Sequence, residues 1–176
     1  MKKLFDEIPT LENQRLVLQK LNDADSEDLR ELAHDRSVYR YLPTFLFEQK
    51  YEDPRLAVQK LYTECFQAKE SLILGIFLKD TKAFCGLAEF YGFKDALHKT
   101  CVGYRLAEKH WGHGIATEAV ALMVDYLFSQ TDIRDHHRQH HGRKPSLRPG
   151  AGKERFSHER RRRARRLGLC PANHRR

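Results

Sequence analysis

The chain has little cysteine, no long hydrophobic run and no internal repeat. Four cysteines occur among its 176 residues, and no two of them form a Cys-x-x-Cys pair, a usage typical of a protein of the reducing cytosol. The N-terminal segment becomes acidic at Asp6 and Glu7 before any apolar stretch develops, so we expect no signal peptide and no membrane span. These absences favour a cytoplasmic protein without a membrane partner.

Positive charge is scarce in the first three quarters of the chain and concentrated in the last. Residues 1–133 contain 17 Lys and Arg against 21 Asp and Glu, a net charge of −4, whereas residues 134–176 contain 15 against 3, a net charge of +12. The last segment also has six His, and its few apolar residues follow neither the strand period nor the helix period. We therefore expect a folded domain over residues 1–133 and a basic, His- and Arg-rich, disordered tail over residues 134–176, because the tail cannot bury enough surface to offset chain entropy.

The spacing of apolar residues within residues 1–133 predicts both strands and helices. Leu16, Leu18 and Leu21 recur at the period of a half-buried strand, and Asp53 followed by Pro54 is typical of a helix start. The predicted strands cover residues 11–21, 72–78, 84–91 and 101–106, with a tight turn at 80–82 that makes a hairpin of the second and third. The predicted helices begin at residues 23–26, 54 and 115, and end near residues 43, 70 and 130.

The segment after the last predicted strand is rich in small residues and opens a helix. Gly112, Gly114 and Ala116 allow a ligand to reach the backbone, and the amides of residues 112–117 lie where a helix presents unpaired donors and the positive end of its dipole. Such a turn is suited to a diphosphate. A Gly-x-Gly-x-Ala pattern alone is weak support, because any strand-to-helix turn can use glycine.

Four local sequences resemble the GNAT superfamily of acetyl-CoA-dependent N-acetyltransferases, in particular the branch of the ribosomal-protein N-terminal (Ser/Ala) acetyltransferases. They are Glu-Asn-Gln-Arg-Leu-Val-Leu at residues 12–18, Cys-Gly-Leu-Ala at 85–88, Val-Gly-Tyr-Arg-Leu at 102–106 and Trp-Gly-His-Gly-Ile-Ala-Thr-Glu-Ala at 111–119. The family usually has Gln or Arg where this chain has Trp111. The resemblance implies an α/β fold, an α+β mixed sheet in which a central, mostly antiparallel sheet is flanked by helices.

The resemblance also implies acetyl-CoA as the co-substrate and no metal. In the family a splayed strand pairs its backbone with the pantetheine arm, which assigns Tyr104, Leu106 and Ala107 to that arm. The turn amides then bind the diphosphate. The cofactor-binding residues implied for the turn are Trp111, Gly112, His113, Gly114, Ile115, Ala116 and Thr117.

Acetyl transfer to an amine needs a base for the amine and a proton for the leaving thiolate. Glu89, on the strand expected to face the acyl end, is the candidate catalytic base, and a solvated edge residue is the alternative interpretation. His110 and His113 flank the turn and are interpreted as exposed side chains. Cys101 is interpreted as a small core residue, because direct attack by the amine needs no acyl-enzyme.

The family's last strand, fourth helix and closing hairpin cannot be recognised after Ile133, so we expect the C-terminal strands and helix to be missing or altered. Codons can be chosen for residues 134–138 that read Glu-Ile-Ile-Thr one base later, a good strand. Codons for residues 145–156 likewise give Arg-Ala-Ser-Ala-Arg-Val-Leu-Glu-Lys-Asn-Gly, which is similar to the family's fourth helix. We therefore hypothesise a one-base frameshift near Ile133; an alternative reading frame interrupted by stop codons would refute it.

Two other interpretations of the tail remain open. The run at residues 160–166 contains six Arg and could bind nucleic acid nonspecifically through its phosphates. Four histidines are spaced as metal ligands on a helix would be, but no acid or cysteine completes a site. They are His136, His137, His140 and His141.

Together these observations predict a cytosolic enzyme that transfers acetyl from acetyl-CoA to a primary amine by direct attack. The acceptor is either a protein N-terminus or a small-molecule amine. The alternatives are a catalytically impaired acyl-CoA-binding protein and a nucleic-acid-binding protein that uses the Arg-rich tail. A monomer or a homodimer is expected.

Overall fold

Six strands form one sheet at the centre of the described chain. The structure, a computed structural model, describes residues 3–40, 47–133 and 135–138. The strands are β1 (Leu11–Glu12), β2 (Leu16–Gln19), β3 (Ser71–Leu78), β4 (Phe84–Lys94), β5 (Lys99–Leu106) and β6 (Asp135–Arg138). They lie side by side in chain order, and every neighbouring pair is antiparallel except β5–β6, which is parallel. The expected mixed, mostly antiparallel sheet is confirmed.

Helices cover both faces of this sheet. They are α1 (Ser26–His34), α2 (Arg36–Tyr39), α3 (Pro54–Lys60) and α4 (Ile115–Gln130), and a π-helical turn (Leu61–Cys65) follows α3 directly. Short 3-10 turns occur at Asp23–Asp25, Phe47–Gln49, Asp95–Leu97 and Glu108–His110. Alternate residues of β3 are buried in two different cores: Leu72 and Leu74 pack with α4, whereas Ile73 and Phe77 pack with α1 and α3.

The predicted hairpin and the last predicted helix are confirmed. β3 and β4 pair antiparallel, and Lys82 in the turn between them has a left-handed φ of +57°. α4 has the predicted bounds. β4 continues to Lys94, beyond its predicted end at residue 91. The pair Lys94↔Lys99 extends the pairing of β4 with β5 past an irregularity.

The first predicted strand and the first predicted helix are each divided by one polar side chain. Asn13 Oδ1 accepts hydrogen bonds from the amides of Arg15 (2.8 Å) and Leu16 (2.7 Å), which turns the chain and makes a hairpin of β1 and β2. Asp35 accepts from the amide of Ser37 at 2.8 Å, which separates α2 from α1. Short polar side chains compete with regular backbone pairing in this way. Because the prediction used only the spacing of apolar residues, it could not detect these interruptions.

The prediction that no regular structure follows Ile133 is wrong for residues 135–138. β6 pairs in parallel with β5, from Lys99↔Asp135 to Val102↔Arg138. The edge of β5 offers backbone donors and acceptors to any extended segment, and this pairing does not require the apolar alternation on which the prediction depended. Residues 139–176, and with them the predictions for the Arg-rich run, for His140 and His141 and for the altered fourth helix, lie outside the described residues.

Two classes of feature are missing from the part of the chain that the structure describes. No helix there is long and apolar enough to cross a membrane. Nor do three or more His, Cys, Asp or Glu side chains come together there in a group that could hold a metal ion.

Candidate active site

The chain passes from β5 into α4 through an exposed turn that contains two left-handed glycines. Gly112 has a φ of +78° and Gly114 a φ of +76°, values that strain any residue with a side chain. Gly114 is the N-cap of α4, and among the described residues no side chain caps the first amides of the helix. The amides of residues 115–117 therefore present donors at the positive end of the helix dipole.

The space in front of these amides is open. A Cβ atom placed on Gly112 would have no described atom within 4 Å. Beside the turn lies a cleft of about 270 Å³ lined by Arg15, Leu78, Lys109, His110, His113 and Ile115. Open backbone donors and basic side chains fit an anionic group such as a diphosphate.

Side chains at the start of β2 form hydrogen bonds and an ion pair with the turn and the first turn of α4. None of these side chains was predicted to be functional from the sequence. Arg15 Nη2 donates to the backbone oxygen of His113 at 2.7 Å and lies 3.1 Å from Glu118 Oε1. Asn13 Nδ2 donates to the other oxygen of Glu118 at 3.1 Å. All three residues lie within the segments at 12–18 and 111–119 that resemble the GNAT family. Their presence in these two segments was the only sequence feature that could have identified them.

We predict that Arg15→Ala weakens acetyl-CoA binding without unfolding the protein. The expected rise in Kd is about three- to tenfold, because the His113 carbonyl and Glu118 lose the guanidinium that orients the turn; the cost in stability is about 0–1 kcal/mol, as for other exposed ion pairs. Calorimetric titration with acetyl-CoA measures the change. Arg30→Ala is the matched control, since it breaks the exposed Arg30–Glu27 pair on α1. An unchanged Kd in Arg15→Ala contradicts the orienting role.

Trp111 links the turn to the end of β5. Its indole Nε1 donates to the backbone oxygen of Leu106 at 2.7 Å, while 44% of the residue stays exposed. Trp111 is the only tryptophan in the chain. Its fluorescence is therefore a specific probe of this turn.

The predicted pantetheine edge is the second half of β5. β4 pairs with β5 up to Gly86↔Leu106, and the described residues of β6 pair with β5 from Lys99 to Val102. Leu106 is buried and Tyr104 is half-buried. The amide of Ala107 donates to the backbone oxygen of Cys85 at 3.0 Å, so of the three residues assigned to the arm Ala107 has its donor engaged within the protein.

Glu89 lies on β4 opposite Gly103, where the stretch of β5 that leads to the turn begins. Both of its carboxylate oxygens have partners: Ser71 Oγ donates to Oε1 at 2.6 Å, and Arg105 Nη1 donates to Oε2 at 2.6 Å. The Glu89 side chain is 12% exposed. The structure therefore shows a fixed and mostly enclosed carboxylate rather than a solvated edge residue.

Arg105 connects Glu89 to a second carboxylate, that of Glu48. Its Nη2 donates to Glu48 Oε2 at 3.2 Å, and its Nε lies 2.7 Å from Glu48 Oε1 without the alignment of a hydrogen bond. Tyr39 OH donates to Glu48 Oε1 at 2.7 Å. The sequence offered no local signal for this cluster beyond one arginine in the segment Cys-Val-Gly-Tyr-Arg-Leu at residues 101–106.

Burial and charge set the protonation of this cluster. Burial raises the pKa of Tyr39 far above its ordinary value, and the charge of Glu48 raises it further. Burial lowers the pKa of Arg105, but Glu48 and Glu89 raise it by more, so the net pKa lies above its ordinary value. The phenol therefore keeps its proton, and the guanidinium keeps its charge.

The two histidines beside the turn differ in environment. His113 is exposed, as predicted. His110 is half-buried, and burial together with the charge of Lys109 lowers its pKa below the ordinary value, so its ring is neutral at pH 7. Cys101 lies on β5 and is half-buried.

The chain is similar to known acetyltransferases in sequence and in fold. Residues 15–143 match the acetyltransferase (GNAT) domain family. The chain is 27% identical over 121 residues to the uncharacterized N-acetyltransferase YoaA of Bacillus subtilis (strain 168), a match that covers 69% of this chain and 67% of YoaA.

Two solved structures share the fold. Spermidine N-acetyltransferase from Vibrio cholerae, solved in complex with CoA and spermine, superposes with a TM-score of 0.58 at 21% identity and covers 72% of this chain and 71% of that one. RimL, a ribosomal L7/L12 alpha-N-protein acetyltransferase, superposes with a TM-score of 0.59 at 18% identity and covers 78% and 75%. Since the family match includes β2 to β6 and the glycine turn, the chain belongs to the GNAT family of acetyl-CoA-dependent acyltransferases.

Proposed function

We propose that this protein transfers the acetyl group of acetyl-CoA to a primary amine, either of a small molecule or of a protein N-terminus. One observation carries the proposal: an uncapped helix N-terminus and an enclosed carboxylate lie at the two ends of the same strand segment. Glu89 is opposite Gly103, and β5 ends at Leu106 next to the turn. From Gly103 to Leu106 the strand advances by three residues, or about 10 Å. We take this as the distance between the site of acyl transfer and the diphosphate site.

Acetyl-CoA supplies a thioester whose carbonyl carbon is open to attack. The amine nitrogen forms a bond to that carbon, and the carbon–sulfur bond breaks. Glu89 takes one proton from the incoming ammonium, and the proton released as the amide forms goes to the leaving thiolate, so the step balances. The turn holds the diphosphate by its amides, which fixes the acyl group relative to Glu89.

The acceptor proposed here is a cationic amine. A cleft of about 380 Å³ between α1 and the turn has four acidic side chains against Lys109 and His34. These are Asp28, Glu31, Asp35 and Glu108. This acidic cleft lies at the turn end of β5, so it attracts ammonium groups to this side of the protein but is not the site of acyl transfer beside Glu89. Both spermidine and a protein α-amine, the acceptors in the names of the two structural neighbours, are primary amines, and this supports a cationic amine as the acceptor.

We expect acetyl-CoA to change the fluorescence of Trp111 and to raise the melting temperature. Ligand at 100 times its Kd stabilises a folded protein by about 2.7 kcal/mol. Fluorescence titration and thermal unfolding, each with acetyl-CoA, measure the two effects. In the control variant Trp111→Phe the optical signal disappears while the thermal shift persists. If neither signal is observed, the cofactor site is wrong.

Release of the CoA thiol in the presence of an amine panel tests the catalytic half of the proposal. The panel contains spermidine, a peptide with N-terminal serine and the same peptide acetylated at its N-terminus. Acceleration by either free amine supports the enzyme. Binding of acetyl-CoA without thiol release supports the alternative, a catalytically impaired acyl-CoA-binding protein.

A further inference from the structure

Arg105 is a buried charged side chain near the end of β5. The residue is 5% exposed and faces the layer formed by α1 to α3, because it lies opposite Leu87, which packs in that core. Its guanidinium contacts Glu89 on β4 and Glu48 in the 3-10 turn Phe47–Glu48–Gln49. One cation is thus shared by two carboxylates from different parts of the chain.

Stability alone does not explain such a cluster. Taking ions out of water costs several kcal/mol each, so apolar side chains of similar volume often stabilise a core as well or better. Arg105 and Glu89 nevertheless lie along the last residues of β5, from Gly103 to Leu106, which lead to the glycine turn and are assigned to the cofactor. The position of the cluster points to the reaction.

We propose that Arg105 is a positioning residue for acyl transfer. Its Nη1 holds Glu89 Oε2 while Ser71 holds Glu89 Oε1, so the carboxylate has one orientation. The inference rests on the proposed function, because it takes Glu89 to be the base. Each carboxylate oxygen has a second lone pair, and this leaves Glu89 able to accept a proton from the amine.

The contact between Arg105 and Glu48 also helps to orient Glu89. Glu48 contacts Nη2 and Nε of the guanidinium, and Glu89 contacts Nη1. The guanidinium is therefore held from two sides and keeps one orientation toward Glu89. Tyr39 in turn fixes Glu48 from α2, which ties the orientation of the base to the helical layer.

The test compares variants that alter the hydrogen bonds to the Glu89 carboxylate with a variant that only lowers the stability of the fold. Ser71→Ala is expected to lower kcat about five- to tenfold with an unchanged Kd for acetyl-CoA, and Ser71→Thr, which keeps the hydroxyl, to restore kcat to within about twofold. Arg105→Lys is expected to lower kcat at least about tenfold, because one ammonium cannot replace the planar fork. Leu18→Ala, a fully buried residue of β2 in the core on the opposite face, is the control for lost stability.

The outcomes distinguish a failure of the proposed function from a failure of the positioning role of Arg105. If the unaltered chain binds acetyl-CoA but acetylates no amine, the proposed function fails and this inference with it. If the unaltered chain is active and both Ser71→Ala and Arg105→Lys keep the kcat of Leu18→Ala per folded molecule, only the positioning role is wrong. If Arg105→Lys does not fold, the Ser71 pair decides: equal rates in Ser71→Ala and Ser71→Thr overturn the inference.

Discussion

Gly112→Val is expected to raise the Kd for acetyl-CoA at least about 100-fold while the protein still folds. Gly112 has φ +78°, and a side chain there costs about 1–2 kcal/mol in backbone strain. The added Cβ meets no atom of the described residues within 4 Å, so that part of the fold leaves room for it. The branched side chain instead occupies the open space through which we propose that the diphosphate reaches the amides of α4. Fluorescence titration of Trp111 with acetyl-CoA and thermal unfolding of the free protein measure the two effects.

Gly92→Val is the matched control for this experiment. Gly92 has a left-handed φ of +60°, lies in β4 away from the turn, and would place its Cβ 3.5 Å from Cys101 Sγ, an ordinary contact. Both variants should therefore lose similar stability, whereas only Gly112→Val should lose acetyl-CoA binding. Equal affinity in the two variants contradicts the placement of the diphosphate at this turn.

Features set by neighbouring residues were predictable from the sequence. The bounds of α4 follow from an apolar stripe and from Gly114 before it, and the hairpin of β3 and β4 follows from two apolar runs around a short polar turn. The glycines of the cofactor turn need left-handed backbone, which few other residues adopt. Each of these signals is contained in one short continuous stretch of the sequence.

Contacts between distant parts of the chain were not predictable in this way. Arg15 and His113 are 98 residues apart, and Arg105 and Glu48 are 57 apart. Periodicity states which residues of an element share a face, but not which element packs against that face. The sequence therefore identified Glu89 as a candidate and could not identify Ser71, Arg105 and Glu48 as the residues that surround it.

β6 shows a related limit. Its residues Asp135, His136, His137 and Arg138 lack the apolar alternation of a strand, yet they pair with β5 through the backbone. Backbone pairing at an edge is available to most sequences, so side-chain patterns are silent about it. The edge that accepts β6 is the one whose second half is assigned to the pantetheine arm.

Glu89→Gln is expected to lower kcat by about 10²- to 10⁴-fold, the usual contribution of a general base. An amide has nearly the size of a carboxylate but cannot take the proton of the amine. Its oxygen can still accept from Arg105 or Ser71, so the fold and the turn at the other end of β5 should persist. The expected signature is a large loss of kcat with an unchanged Kd for acetyl-CoA, measured by thiol release and by Trp111 fluorescence.

The stability of Glu89→Gln separates catalysis from structure in the same variant. Losing one carboxylate leaves Arg105 with Glu48 as its only anionic partner among the residues that contact it in the described chain, and weakening a hydrogen bond to a buried charge costs about 1.5–3 kcal/mol. Glu12→Gln, which alters an exposed carboxylate of β1 paired with Lys79 at 2.8 Å, should change neither stability nor kcat. If Glu89→Gln lowers the melting temperature but keeps the kcat of Glu12→Gln, Glu89 is only a structural partner of Arg105. A loss of kcat measured well below both melting temperatures has no such explanation, because the turnover of a molecule that is still folded does not depend on how close it is to unfolding.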